Sequence, residues 1–185
     1  MVIEKRVFYS SSLEETTTIG NLTKEQTLSF LGNGRQCGVL LELQISNLFE
    51  DLQTASTQGD NADLVSDVHG SIQAKTFHSL EKKTITRGKN KGKTNHSQKN
   101  VFITKSCLWD SKKKREALGE DVDKTTEDYI SSYDAFLMID ISQMKKDLSF
   151  SWILIDSEYI KEHHHKGFIS LDVINNYQKK KTRRT

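Results

Sequence analysis

The order of elements in this chain predicts a mixed α/β protein, with a mixed central sheet flanked by helices. Three observations carry that expectation: apolar residues at helical spacing over 35–54, a strand hairpin over 62–77, and two strand-length apolar runs at 135–141 and 150–155. A second helical stretch over 111–133 separates the hairpin from those runs.

Taken in order, residues 1–34 form a weakly patterned extension. It holds an expected strand at 2–9 and a short helix over 24–31 opened by Thr23, ended by Gly32-Asn33-Gly34. Leu41, Ile45, Leu48 and Leu52 then recur on one helical face, which predicts a long amphipathic helix from Arg35 to about Thr54. In the hairpin, Gly70 is placed for the positive φ of a tight turn. A loop of three residues, 69–71, or an equivalent bulge, sets Asp67 across from Gln73 and collects the polar groups on one face. A third strand is expected at 101–107, and a Lys-rich turn between the last two apolar runs. The 185 residues fit one domain, with a core at roughly 36–155, a basic loop at 86–100 and a basic tail at 178–185.

Composition narrows the function classes. The net charge is only +2, so basic character is local: cations cluster at 87–99, 112–115 and 179–184, while acids gather at 50–67 and 116–128. Such segregation suits a protein that grips a polyanion around an acidic centre. Cys37 and Cys107 build no disulfide framework or zinc-finger spacing, which points to a reducing, cytoplasmic setting. The longest apolar run, 135–139, is far too short to span a bilayer, so a soluble, non-membrane protein is expected.

The segment 60–77, DNADLVSDVHGSIQAKTF, carries the chemistry. Residues i and i+2 of a strand share a face, so Gln73 and Lys75 project together while Ile72, Ala74 and Thr76 face away. An amide oxygen and an ammonium beside carboxylates suit a hydrated divalent cation, a scissile phosphate and an attacking water.

Asp63, Gln73 and Lys75, with nine residues between the first two, resemble the signature of the PD-(D/E)xK nuclease superfamily. That superfamily includes many type II restriction endonucleases, Holliday junction resolvases and some homing endonucleases. Its αβββαβ core matches the element order over roughly 36–155. Two positions depart from the pattern: Ala62 stands where the motif's name has proline, and Gln73 replaces an acid. Glutamine brings an oxygen but no charge. The resemblance implies a helix glutamate to supply it, with Glu42 first, Glu50 second and Asp67 also available in the hairpin.

On that resemblance the chain is a Mg²⁺-dependent endonuclease of double-stranded DNA, of the site-specific restriction type. Asp63, Gln73 and Glu42 would hold the metal and Lys75 would attend the water or phosphate. A homing or junction-resolving nuclease is the near alternative, and a catalytically inactive nucleic-acid-binding module the distant one. Cutting both strands with one site per chain implies a homodimer. Arg87, Lys89, Lys91, Lys93, Asn95 and Lys99 of the basic loop are the expected DNA contacts. The run His163-His164-His165 lacks the spacing of a zinc site, and Trp109, Trp152, Tyr129, Tyr133 and Phe150 are expected to be core aromatics.

Overall fold

A computed structural model describes residues 2–12, 22–31, 33–55, 62–79, 83–84, 89, 91–92, 94–95, 100–103 and 125–179. The fold is mixed α/β: a six-stranded mixed sheet with helices on both faces. In chain order the elements are β1 (Tyr9–Ser12), α1 (Lys24–Leu31), α2 (Gly34–Ser46), β2 (Leu52–Thr54), β3 (Leu64–Ser66) and β4 (Gly70–Phe77). They continue with β5 (Lys83–Thr84), β6 (Thr94–Asn95), β7 (Asn100–Phe102), α3 (Thr126–Ser131), β8 (Ala135–Asp140), α4 (Met144–Asp147), β9 (Ser149–Asp156), α5 (Ser157–His163), β10 (Phe168–Ser170) and α6 (Leu171–Lys179).

The sheet runs β1-β9-β8-β4-β3-β2, with β4 and β8 parallel and the other neighbours antiparallel. Alternation along the strands divides the core. Ile72, Ala74, Leu137, Ile139, Trp152 and Leu154 pack against α1, α2 and α4. Phe77, Phe136, Met138, Ile153 and Ile155 pack against α3, α5 and α6. Gln73 and Lys75, one residue out of phase with Ile72 and Ala74, therefore belong to the α3 face.

Several expected elements shift. The strand predicted at 2–9 forms at Tyr9–Ser12 instead, because Arg6 turns the chain at φ 65° and Tyr9 stacks on Trp152. The first long helix stops at Ser46 rather than near Thr54. Leu48 is exposed, and Leu52 is buried through β2, whose start is fixed by Asp51 accepting the Ile3 N–H and the Ser66 hydroxyl. The strand expected at 101–107 is Asn100–Phe102, paired with β10 outside the main sheet; 104–107 lie outside the described residues. The third strand of the antiparallel meander is β2, a segment expected to be helical, and β5, β6 and β7 stand between β4 and α3 outside the main sheet. Of the helix expected over 111–133, Thr126–Ser131 is described, opened by a Thr125–Asp128 capping box. The Lys-rich turn is the short helix α4, closed by Leu148 in the left-handed region at φ 56°. By contrast, α1 begins after Thr23 as expected, with Thr23 and Gln26 exchanging hydrogen bonds.

The hairpin loop is 67–69, not 69–71, and Asp67 does not face Gln73. Ser66 explains the shift: its Oγ accepts from the Val68 and His69 N–H groups, and the buried His69 ring donates Nε2–H to the Ile3 carbonyl at 2.6 Å. Gly70 then opens β4 at φ +70°, and a side chain there would collide with Asp134 Oδ2.

Candidate active site

Asp63 immediately precedes β3, where pairing with β4 runs out. Its Oδ2 accepts the Ala74 N–H at 2.8 Å and a hydrogen bond from the Gln73 amide nitrogen. The same Gln73 nitrogen lies 3.5 Å from the Ala74 carbonyl oxygen. An electropositive amide thus sits where a carboxylate and a backbone oxygen converge.

On the other side of Gln73, Oε1 accepts from the Tyr129 hydroxyl at 3.3 Å, and that hydroxyl accepts from Lys75 Nζ at 3.0 Å. The Lys75 ammonium also lies over the Tyr129 ring, 5.6 Å from its centre. Lys75, Tyr129, Gln73 and Asp63 therefore form one hydrogen-bonded chain. Gln73 is buried, while Asp63 and Lys75 are half-buried.

Glu42 projects from α2, whose Cys37, Leu41 and Ile45 anchor the helix in the core. Burial and the charge of Asp63 push the Glu42 carboxyl up to about 7, against the opposing pull of Lys75. Burial also raises the Tyr133 hydroxyl; a hydrogen bond with Tyr129 opposes this and the Asp63 charge adds to it. The fold thus links a carboxylate, an amide, a phenol and an ammonium by hydrogen bonds into one corner on the α3 face, with Tyr133 beside them and Glu42 of α2 coupled to them through the charges of Asp63 and Lys75.

The other acids lie elsewhere. Glu50 is exposed beyond α2, and Asp67 is exposed in the hairpin loop. Of the loop residues, Lys89 and Lys91 are exposed and Asn95 lies in β6, paired with β5; Arg87, Lys93 and Lys99 lie outside the described residues. A stretch expected to be wholly loop therefore contains the strand β6, whose partner β5 lies just before it. His163 bonds the Tyr159 carbonyl at 2.8 Å and stacks on the Tyr159 ring, and His164 lies against Glu127. Trp152, Tyr129, Tyr133 and Phe150 are buried, while Trp109 and Cys107 lie outside the described residues. Burial pushes the Cys37 thiol up to about 11, which disfavours its thiolate.

Tyr129 is the residue that sequence reasoning placed only in the core. The available signal was a capping box that fixes the start of α3 and so sets Tyr129 and Tyr133 one turn apart beside the parallel strand β8.

Among the described residues no group of three or more His, Cys, Asp and Glu side chains could hold a metal ion. The third oxygen of this corner is the Gln73 amide. Its nitrogen faces Asp63; a half-turn of the amide would bring Oε1 beside the Asp63 carboxylate, and Glu42, which feels the Asp63 charge from α2, is the further hard oxygen available. Hard oxygens of this kind are the donors that magnesium takes. A separate cleft of about 590 Å³ opens at the start of β4 and β8, lined by His69, Tyr133, Asp134 and Ser157 among others. Only Tyr133 connects it to the corner described above, and the convergent polar groups, rather than the larger concavity, mark the candidate site.

Comparison with protein families, curated proteins and solved structures returned no match. Among the described residues no helix is long and apolar enough to cross a membrane.

Proposed function

We propose that this chain is a Mg²⁺-dependent endonuclease that hydrolyses phosphodiester bonds of double-stranded DNA, of the site-specific restriction type. The observation that carries this is the hydrogen-bonded Asp63–Gln73–Lys75 set with Glu42 close enough to be perturbed by it. The element order α2, β2–β3–β4, α3, β8 supports a restriction-endonuclease-like core.

Asp63, Glu42 and Gln73 would hold the ion. When bound, magnesium would lower the pKa of a water and offset charge on the phosphate. Lys75, held by Tyr129, presents a fixed cation beside that position, where it orients the nucleophile or neutralises a phosphate oxygen. Lys89 and Lys91, both exposed, would add phosphate contacts together with the neighbouring basic residues Arg87, Lys93 and Lys99. Double-strand cleavage would take a two-fold homodimer. Junction resolution or homing would use the same chemistry on a different DNA.

A specific observation favours a second reading, a silent DNA-binding module: the Gln73 amide already satisfies Asp63 without an ion. Supercoiled plasmid incubated with wild type, Asp63→Asn and Lys75→Ala, with Mg²⁺ or with chelator, separates the two. A nuclease nicks and linearises plasmid only as wild type with Mg²⁺. Duplex binding without any Mg²⁺-dependent nicking would favour the module.

A further inference from the structure

Gln73 differs from the acid it replaces in having a direction. A carboxylate offers oxygen whichever way it is turned, whereas a carboxamide offers oxygen on one side and N–H groups on the other. For Gln73 to serve a cation its oxygen must face Asp63, and its nitrogen must then face Tyr129.

Tyr129 is equipped for both orientations. A phenol donates one hydrogen bond and accepts through two lone pairs. In the observed arrangement one lone pair takes Lys75 Nζ at 3.0 Å, the phenol proton goes to Gln73 Oε1 at 3.3 Å, and the hydrogen bond shared with Tyr133 falls to the second lone pair. With the amide turned, that second lone pair accepts from Gln73 Nε2, the Tyr129 proton swings to the Tyr133 oxygen, and Tyr133 turns its own proton into the cleft that it lines. No backbone movement is needed. Gln73 Oε1 would then join Asp63 Oδ2 and the Ala74 carbonyl, the two oxygens its nitrogen contacts now.

We propose that Tyr129 is a positioning residue whose two-way hydroxyl lets a glutamine do the metal-binding work of an acid at position 73. The inference rests on the cation site proposed above and adds a condition to it. The Tyr129 hydroxyl matters when residue 73 is an amide and matters little when it is a carboxylate. Without the hydroxyl, a turned amide leaves a buried N–H unpaired, an effect worth about tenfold in affinity.

The test is Mg²⁺ titration calorimetry on the full chain in four forms: wild type, Tyr129→Phe, Gln73→Glu and the double variant. Phenylalanine keeps the ring packing, and any effect of releasing Lys75 is common to both backgrounds, so the double-mutant cycle isolates the amide term. The expected result is about a tenfold loss of Mg²⁺ affinity from Tyr129→Phe beside Gln73, and less than about twofold beside Glu. Equal losses in the two backgrounds, or none beside Gln73, would overturn the inference while leaving the cation site standing. Failure of both wild type and Gln73→Glu to bind Mg²⁺ would overturn the site and the inference together. A second measurement needs no variant: the ¹⁵N side-chain amide signal of Gln73 in wild type should shift on Mg²⁺ addition as the NH₂ exchanges Asp63 for Tyr129. A signal that stays fixed while the ion binds would also overturn it.

Discussion

Two carboxylate neighbourhoods of this protein are treated in opposite ways. At the start of β4 and β8, Asp134 accepts the Ser71 N–H and hydroxyl, both at 2.8 Å, and these bonds hold it below the usual carboxylate range. Nearby, burial raises Asp156, but Lys5, the Tyr177 hydroxyl at 2.6 Å and the charge of Arg6 outweigh it and leave this acid lowered as well. Each acid arrives with its compensation. Glu42 does not: burial and the charge of Asp63 push it up to about 7, and Lys75 offsets only part of this. Acids that tie a fold together are compensated within the chain, and an acid whose compensation is only partial is the kind that an added positive charge would stabilise.

The largest expected effect breaks the unmatched corner at its cation. Lys75→Ala should lower Mg²⁺-dependent plasmid cleavage by about 10²-fold or more, read from nicking rates, with little change in melting temperature. The matched pair should answer in the reverse sense. Asp156→Ala leaves Lys5 and Tyr177 without their acceptor and should destabilise the fold by about 1–3 kcal/mol in denaturant titration, with cleavage chemistry intact. Because the folded pKa of Asp156 lies below the ordinary aspartate value of 3.8, that stabilisation is present above pH 3.8 and is lost as pH falls through the lower folded value. The gap between wild type and variant should therefore close in acid.

A third change separates gripping DNA from the corner itself. Replacing Lys89, Lys91 and Lys93 by alanine should weaken duplex binding by about tenfold and flatten the salt dependence by about 2.7 logarithmic units per decade of salt, with Mg²⁺ binding unaltered. Unchanged affinity across a salt titration would reject that role for the loop.

The smallest effect has the more telling sign. Glu42 is pushed up to about 7 from the ordinary glutamate value of 4.5, so the metal-free protein loses stability as pH rises between those values. Glu42→Gln should match wild type at pH 4 and exceed it by about 1 kcal/mol at pH 8 in chelator, a figure reduced for the side chain's partial exposure. An acid that merely decorated the helix would show no such gain.

How much of this was legible beforehand depends on which forces were local. Thr23 and Gln26 announce α1 because a capping box is written in adjacent residues. The exchange of helix for strand at β2 was not legible. Ile45, Leu48 and Leu52 keep helical spacing, and only the distant partners of Asp51 divert the chain. The hairpin loop was displaced by two residues, since Ser66 caps Val68 and His69 in a way that turn composition alone does not reveal. Asp63 still meets Gln73, because the register moves by an even number of positions and keeps each side chain on its face; Asp63 simply takes the place foreseen for Asp67. Tyr129 could not be distinguished from its core neighbours, since a buried tyrosine shows its hydroxyl's purpose only when its partners are in place.

The central claim is that the Glu42–Asp63–Gln73 corner takes up a divalent cation. The most direct measurement is the melting temperature of wild type and of Asp63→Asn at pH 8, each with and without millimolar Mg²⁺. Asparagine preserves the acceptor for the Ala74 N–H while removing the charge. The account predicts a rise with Mg²⁺ in wild type that is absent from the variant, as expected when an ion binds the folded state alone. A wild type indifferent to Mg²⁺, or a variant stabilised equally by it, would contradict the account.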